Sequence, residues 1–228
     1  MKLVKRLYKI LSASFFIIVG GIILIFDKNN YKPIYKGFKY FMEHESYQIS
    51  LKILLADPAT KALVDTRYRQ YDHVDWDALK TLPENTLGFQ FAKFMNNPAV
   101  TPIEKLPEST VQISPEVDYI RARLRLTHDI HHVVCGFGAD EMGEMGISAF
   151  YGAQINSPLN AMLLAFGLIK CTIKVPARMH ELLGMITYGW QMGLTTPNIF
   201  GIKWEEMWDL PMDQVREKIG VRVSKAAA

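Results

Sequence analysis

The feature that most constrains the fold is the spacing of apolar side chains, which recur every three or four residues along most of the chain. A 3.6-residue period places such side chains on one face of a helix, where they can pack on a neighbouring helix. No two adjacent segments alternate polar and apolar residues in the manner of paired strands. The sequence therefore predicts an all-α fold, with a single mainly helical domain and a hydrophobic N-terminal helix.

Breaks in this pattern divide the domain into helices. Residues 96–115 carry four prolines and predict a loop, while Gly136 ends one helix and Pro176 forms a hinge between two others. Asp57 or Thr60 can cap a further short helix. The other predicted helices are Tyr35–Met42, Ser46–Ala56, Trp76–Leu79, Glu84–Met95, Pro115–Val134, Glu141–Ala153, Pro158–Val175, Ala177–Met192 and Met212–Ile219.

The N-terminal segment, residues 1–30, is distinct from the helical domain predicted over 31–228. Four basic residues precede Ile10–Phe26, a run without charge. As a helix this run spans roughly 25 Å, slightly less than the ~30 Å core of a bilayer. Three interpretations of this run stay open. It is a signal peptide, although no small-residue cleavage site follows it, or a membrane anchor with its basic end cytoplasmic. In the third interpretation it is a first helix that packs on the domain through Gly20 and Gly21.

Charge and cysteine usage exclude several classes of protein. The formal net charge is only +3 and no long Lys/Arg cluster occurs, so we expect no nucleic-acid partner. Hydrophobic residues make up 49% and charged residues 21%, which excludes general disorder. Cys135 and Cys171 are the only cysteines, so a disulfide framework is absent and a reducing compartment is expected.

The densest chemical cluster is the run His128-Asp129-Ile130-His131-His132. On a helix, His128 and His132 lie one turn apart on the same face. Asp129 is about 100° from the first of them around the helix axis. These three side chains therefore occupy one side of the helix and predict a site for a single metal ion.

A fourth ligand is expected from the following helix. The chain breaks at residues 135–138, and Glu144 lies one turn into the next predicted helix. Helices joined by a short turn pack as neighbours, so Glu144 can face His128 and His132. Two imidazoles with two carboxylates suit Zn²⁺, Fe²⁺ or Mn²⁺ better than Ca²⁺ or Mg²⁺, which prefer oxygen ligands.

Simpler interpretations of the same residues stay open. A helical His pair alone is often structural, and His131 is expected to be a group behind the ligands or a surface residue rather than a ligand. Cys135 is expected to be a buried thiol, since nothing orients it as a nucleophile toward His132. The acid beside the first histidine is Asp129, so the cluster is not the HExxH pattern of a zinc peptidase.

The remaining charged and histidine positions near this region predict structure rather than chemistry. His44, His73 and His180 have acids only as immediate sequence neighbours, whose side chains diverge, so no second cluster forms. Asp140 and Glu141 fit the N-terminal cap and first turn of a helix, where negative charge meets the positive end of the helix dipole.

The spacing of the four candidate ligands resembles that of a known family. His128-Asp129-x-x-His132, eleven residues and then Glu144 is similar to the HDxxH-x11-E signature of the coenzyme Q (ubiquinone) biosynthesis protein 4 family. The match contains no gap. Because the N-terminus is not an Arg-rich transit peptide, the chain resembles a bacterial homologue.

Two further blocks carry the same resemblance. Residues 82–88, Leu-Pro-Glu-Asn-Thr-Leu-Gly, with aromatic residues following at 91 and 94, are similar to the family block LPxxSLGxxYxxFM. Thr86 and Phe91 stand where Ser and Tyr are usual. The third block is Trp204-Glu205, before the last predicted helix. Together the resemblance covers roughly residues 35–220.

The resemblance implies an all-helical protein with a divalent metal, usually zinc, held by the catalytic residues His128, Asp129, His132 and Glu144. The implied reaction is oxidative decarboxylation, in which the C1 carboxyl of a polyprenylated hydroxybenzoate is replaced by hydroxyl. The implied partners are a polyprenylated quinone precursor or other isoprenoid lipid, a membrane surface and other quinone-biosynthesis proteins. The implied location is the cytoplasmic face of a bacterial membrane, and the mitochondrial inner membrane for eukaryotic members.

Later helices could accept the prenyl tail. Met162–Ile169 and Leu182–Trp190 provide apolar helix faces, and Met179, Met185 and Met192 could adapt to a flexible chain. Each of these residues also fits an ordinary core position. Apolar helices in excess of one core make a homodimer an expectation as well.

Two other functions compete with the enzyme. In the first, the chain is a non-catalytic scaffold that presents isoprenoid intermediates to other enzymes and holds a structural ion. In the second, it is a metal-dependent phosphohydrolase of the HD type, which shares the His-Asp doublet. That fold needs further His and Asp ligands, for which only His180 and Asp209 are available.

Overall fold

The computed structural model describes residues 45–68, 74–98, 100 and 114–223, together with Val19 and Gly21. Within these residues the regular structure is helical, and the sole β-type pairing is an isolated bridge between Thr86 and Pro211. The predicted all-α fold is therefore confirmed. The predicted helix at Tyr35–Met42 and most of Ile10–Phe26 lie outside the described residues.

Nine helices occupy the described ranges, with 3₁₀ turns at Pro176–Arg178 and Trp204–Glu206. They are α1 (Glu45–Ala56), α2 (Pro58–Thr66), α3 (Trp76–Thr81), α4 (Leu87–Met95), α5 (Pro115–Cys135), α6 (Glu141–Ile155), α7 (Pro158–Lys174), α8 (Met179–Thr195) and α9 (Met212–Ile219).

Side-chain caps explain where the two central helices begin and end. The side chain of Ser114 accepts a hydrogen bond from the backbone of Val117 at the start of α5, and Asp140 accepts one from Gly143 at the start of α6. Gly136, with a φ of 76°, ends α5 in the left-handed region that favours glycine. The predicted break after Cys135 and the predicted cap at Asp140 are both confirmed.

Helix α4 begins later than predicted, at Leu87 instead of Glu84. The reason is that Thr86 folds back, with its backbone N–H and its hydroxyl both donating to the carbonyl of Pro83, and then caps the helix itself. The turn also binds the C-terminal segment, since Leu87 donates to the carbonyl of Leu210. Residues 82–88 therefore tie α4 to the end of the domain.

The main core surrounds α5, α6 and the C-terminal segment. Trp204 is fully buried in it. The adjacent Glu205 forms a two-pronged ion pair with Arg123 of α5, in which the two side chains are only 4% and 5% exposed. The Trp204-Glu205 block therefore fastens the C-terminal segment to α5.

Helices α6 and α8 cross at very short distance. A Cβ atom on Gly189 of α8 would lie 2.1 Å from the carbonyl oxygen of Gly146 of α6, so the crossing requires glycine. One turn further, Gly193 lies against the backbone of Phe150. This contact fixes the orientation of α6.

Helix α7 packs on α6, where Gly167 lies against Met145, but Cys171 is its only buried residue. Gly21 lies against the ring of Phe166 of α7, since a Cβ atom there would be 2.1 Å from a ring carbon. Within the described part of the chain, no helix has both the length and the apolar character needed to cross a membrane.

Candidate metal centre

Three of the four predicted ligands meet between α5 and α6. The Nε2 atoms of His128 and His132 are 3.1 Å apart. The Glu144 carboxylate lies 3.6 Å from Nε2 of His128 and 3.5 Å from Nε2 of His132. Among the described residues, these three form the one group of His, Cys, Asp and Glu ligand atoms that all lie within 4.8 Å of one another.

Local structure places these side chains together. His128 and His132 project from the last two turns of α5, and the chain then reverses through Gly136. Gly143 approaches the loop so closely that a Cβ atom there would lie 1.9 Å from the carbonyl oxygen of Gly138. This approach brings the first turn of α6, which carries Glu144, beside the two imidazoles.

Each imidazole has a second partner behind it. Nδ1 of His132 lies 3.0 Å from the carbonyl oxygen of Gly138. Nδ1 of His128 lies 3.3 Å from the hydroxyl of Tyr151 on α6, and that hydroxyl lies 2.7 Å from Nδ1 of His131. Such outer partners commonly orient metal-binding histidines.

The charges in the site are mutually stabilising. Burial opposes ionisation of Glu144, but hydrogen bonds and attraction from His128 and His132 outweigh it and hold the pKa of the carboxyl well below its usual range. Burial also opposes the charged form of His128, but the hydrogen bond and charge of Glu144 prevail and raise its pKa. A cation binding here would replace the proton shared by these groups.

Asp129, the fourth predicted ligand, is not part of the close group. Burial raises the pKa of its carboxyl, and attraction from His128 and His132 opposes that rise. In this structure the close group therefore contains three of the four predicted ligands, and the Asp129 carboxylate lies outside it.

The donor set fits a divalent transition metal. Two nitrogens bound to one tetrahedral ion at about 2.0–2.1 Å would be roughly 3.3 Å apart, close to the separation observed between the two Nε2 atoms. The site is closed on one side and open on the other. The side chain of His132 is 1% exposed, whereas that of Glu144 is 47% exposed. An ion held here would retain a position that solvent or a substrate can reach.

The comparisons with known proteins identify the family of the chain. The sequence model of the family described as coenzyme Q (ubiquinone) biosynthesis protein Coq4 matches residues 45–225, most of the chain and all of the site. The chain belongs to the Coq4 family. Among its curated relatives, it is similar to the mitochondrial ubiquinone biosynthesis protein COQ4 homologue of Aedes aegypti, with 29% identity over 152 residues.

That alignment covers 67% of this chain and 54% of the Aedes protein. The mitochondrial COQ4 of Eremothecium gossypii is 31% identical over 152 residues, which are 66% of this chain and 46% of that protein. The chain thus spans about half the length of these relatives. It also resembles the crystal structure of a Nostoc punctiforme protein described as a ubiquinone biosynthesis protein, with a TM-score of 0.76, 27% identity and coverage of 94% and 97% of the two chains.

In this Coq4 family member, one expectation about the residues next to the site was wrong and another is confirmed. His131 is completely buried, so the surface interpretation was wrong. Burial lowers the pKa of His131 well below the ordinary value for histidine. Cys135 is a buried thiol, as expected, and burial raises its pKa to about 12.

Among the described residues, the further ligands that an HD-type phosphohydrolase needs are not near the metal site. His180 and Asp209 are exposed, and neither belongs to the close ligand group. His44 and His73 lie outside the described residues.

Sequence reasoning missed two features of the site. Tyr151 lies 23 residues beyond His128, on the same side of α6 as Glu144, at a spacing of seven residues that returns a helical side chain to one face. Phe94 of α4 stacks on the ring of His132 at 5.5 Å. The seven-residue spacing from Glu144 was the available signal for Tyr151. No comparable signal existed for Phe94, because its contact joins distant segments.

Proposed function

We propose that this Coq4 family member holds one divalent cation and acts on a polyprenylated hydroxybenzoate during ubiquinone biosynthesis. His128, His132 and Glu144 would hold the cation, and the family resemblance adds Asp129. Zinc is the first candidate for the cation, and iron or manganese would suit the same ligands. The observation that carries the proposal is the convergence of two imidazole nitrogens and one half-exposed carboxylate within 4.8 Å.

The proposed reaction balances only with an external oxidant and reductant. An aryl carboxylic acid, dioxygen and a two-electron donor with two protons would give a phenol, carbon dioxide and water. The bond from C1 to the carboxyl carbon breaks, and a bond from C1 to an oxygen atom of dioxygen forms. Zinc does not change oxidation state, so with zinc the electrons would pass between substrate, dioxygen and the donor directly.

A bound cation would attract the substrate carboxylate and stabilise negative charge on an adjacent phenolic oxygen. The chain would supply the orientation. His132 is held by the Gly138 carbonyl and covered by Phe94, so one wall of the site is fixed and apolar. Glu144 lies on the open side, where an aromatic head group could enter.

A test of the metal site compares Asp129→Asn and Glu144→Gln with the unaltered chain. The purified protein should contain about one divalent cation per chain, and both variants should lose it. Glu141→Gln is the matched control, because Glu141 is in the same helical turn as Glu144 but pairs with Lys170. Full metal content in Glu144→Gln would contradict the site, and full content in Asp129→Asn would remove Asp129 from it.

A test of the reaction uses a prenylated 4-hydroxybenzoate labelled at the carboxyl carbon. Protein loaded with zinc or with iron is incubated with this substrate, dioxygen and a chemical reductant. We expect labelled carbon dioxide from the unaltered chain and from Glu141→Gln, and none from Glu144→Gln. Equal release from Glu144→Gln would contradict catalysis at this site.

A scaffold is the second candidate, and the outer surface of α7 and α8 favours it. Large apolar side chains are exposed there; they are Ile169, Ile173, Leu183, Trp190 and Leu194. Such a surface suits an isoprenoid lipid, a membrane surface, another quinone-biosynthesis protein or a second copy of the chain. Tight binding of the prenylated substrate without release of its carboxyl carbon under any metal would support the scaffold.

A further inference from the structure

The two imidazoles of the site are oriented by different kinds of partner. Nδ1 of His132 lies 3.0 Å from the carbonyl oxygen of Gly138. A carbonyl oxygen only accepts hydrogen bonds, so Nδ1 of His132 must donate. The proton of the neutral ring is therefore on Nδ1, and Nε2 presents its lone pair toward Glu144. The backbone alone makes His132 ready to bind a cation.

His128 has no such fixed partner. Its Nδ1 lies 3.3 Å from the hydroxyl of Tyr151, and a hydroxyl can either donate or accept. If the hydroxyl accepts, Nδ1 of His128 carries the proton and Nε2 is free to bind a cation. If the hydroxyl donates, the proton is on Nε2, and His128 cannot bind the cation through that atom. Tyr151 by itself does not determine which arrangement occurs.

His131 can decide the direction of this hydrogen bond. Its Nδ1 lies 2.7 Å from the Tyr151 hydroxyl, while its buried Nε2 has no hydrogen-bond partner among the described residues. The ring packs edge-to-face with Phe200 and Trp204. We take the proton of His131 to be on Nε2, where a neighbouring aromatic face can accept its N–H in place of an oxygen or nitrogen partner. Nδ1 of His131 is then an acceptor for the Tyr151 hydroxyl.

We propose that His131 and Tyr151 are positioning residues that keep the hydrogen-bond chain running in one direction, so that His128 presents an unprotonated Nε2 to the cation. His131 takes the only proton of the Tyr151 hydroxyl, and Tyr151 must then accept from Nδ1 of His128. The proposal rests on the proposed metal site. It assigns a function to a fully buried histidine that is not itself a ligand.

Two single variants should weaken zinc binding to different extents. Tyr151→Phe removes the outer partner of His128, and we expect about tenfold weaker binding, as is usual when such a partner is lost. His131→Leu leaves the Tyr151 hydroxyl with His128 as its one remaining acceptor among the described residues, so the hydroxyl donates to Nδ1 and favours the wrong form of the ring. We expect that loss to be larger, about 100-fold.

The double variant separates this account from simple damage to the core. In His131→Leu/Tyr151→Phe no hydroxyl remains to donate to His128, so we expect zinc affinity to recover to within about threefold of Tyr151→Phe alone. If the two residues were merely structural, the double variant would bind zinc no better than His131→Leu. His180→Leu, an exposed histidine on α8, is the matched control and should bind zinc like the unaltered chain.

Zinc dissociation constants are measured by competition with a chromophoric chelator, and circular dichroism checks that each variant is folded. Unchanged affinity in His131→Leu, or a double variant weaker than both single variants, would overturn the proposal. If the unaltered chain binds no zinc, the proposed function fails instead, so the two failures are distinguishable.

A measurement on the unaltered chain keeps the proposal testable if a variant does not fold. Two-bond ¹H–¹⁵N spectra of protein labelled in histidine distinguish protonation at Nδ1 from protonation at Nε2. We expect Nδ1 protonation for His128 and Nε2 protonation for His131 in the zinc-bound protein. Protonation of His131 at Nδ1 would overturn the proposal.

Discussion

Helices α6 and α7 follow one another in the chain, and both are rich in apolar residues, yet they are used differently. Nine of the fifteen residues of α6 are buried, whereas only Cys171 is buried among the seventeen residues of α7. Helix α6 carries Glu144 and Tyr151 and is locked against α8 by glycine contacts. Helix α7 exposes Ile169 and Ile173.

The difference shows that apolar composition alone does not reveal the task of a helix. A site that must hold three ligand atoms within 4.8 Å needs a helix whose position cannot shift, and burial of α6 on most sides provides this. The outer region of α7 and α8 has no such constraint, and its exposed apolar side chains are available for a lipid or protein partner. Substitutions in the buried region around α6 should therefore lower the stability of the protein much more than substitutions in the outer region of α7 and α8.

The largest expected effect compares two Arg–Glu ion pairs. The inner pair, Arg123–Glu205, is almost completely buried, whereas the outer pair, Arg178–Glu181, is about half exposed. Glu205→Gln should lower the free energy of unfolding by about 3–5 kcal/mol, because it leaves a buried guanidinium without its counter-charge. Glu181→Gln should leave stability unchanged. Denaturant unfolding measures both, and equal losses would contradict the division into two regions.

The next effect compares two glycines of α8. Gly189→Ala should destabilise the protein by about 3 kcal/mol, because its Cβ atom would lie 2.1 Å from the carbonyl oxygen of Gly146. Gly184→Ala is the matched control, since a Cβ atom there meets nothing within 4 Å. It should stabilise the helix by about 0.5–1 kcal/mol. Thermal unfolding of the two variants should shift in opposite directions, and a shift in the same direction would break the comparison.

A smaller effect is expected for the outer apolar surface. Ile173, whose exposure is 61%, can be replaced by Ser with a change in stability within about 0.5 kcal/mol. If this surface binds lipid, the same substitution should weaken binding to vesicles that contain a prenylated hydroxybenzoate by about tenfold. Lys174→Gln, at the neighbouring position, controls for a general effect of charge. Unchanged vesicle binding in Ile173→Ser would remove this residue from the lipid surface.

The smallest effect is a difference in thiol reactivity. Cys135 lies in the main core and Cys171 in a small cluster with Met142 and Leu182. Burial raises the pKa of Cys135 from 9.0 to about 12. Between pH 9 and 12 only the unfolded chain releases the thiol proton. The contribution of Cys135 to stability is therefore present below about pH 9 and is lost between pH 9 and 12. At pH 8, iodoacetamide should label Cys171 faster than Cys135, because the smaller cluster opens locally. Equal rates, read by mass spectrometry, would contradict separate stabilities.

Local patterns made much of the fold and part of the site predictable. The spacing of His128 and His132, the break at Gly136 and the cap at Asp140 each depend on a few consecutive residues. They were sufficient to predict that Glu144 would face the imidazoles. The start of α4 was predicted wrongly because Thr86 competes as a cap, a choice that depends on hydrogen bonds with the distant segment around Leu210.

Contacts between distant segments were not predictable in the same way. Arg123 and Glu205 are 82 residues apart, and only the folded chain brings them together. The burial of His131 depends likewise on Phe200 and Trp204, which pack on its ring from the C-terminal segment. A spacing rule detects residues that share one helix, whereas these neighbours are determined by tertiary packing.

The central claim is that His128, His132 and Glu144 bind one divalent cation together. Crystals grown with zinc and measured at the zinc absorption edge test it most directly, because anomalous scattering locates the ion without assumptions about activity. The account predicts one strong peak per chain, bonded to Nε2 of both histidines and to the Glu144 carboxylate. Full zinc occupancy at another place in the chain, with no peak between these three side chains, would contradict it.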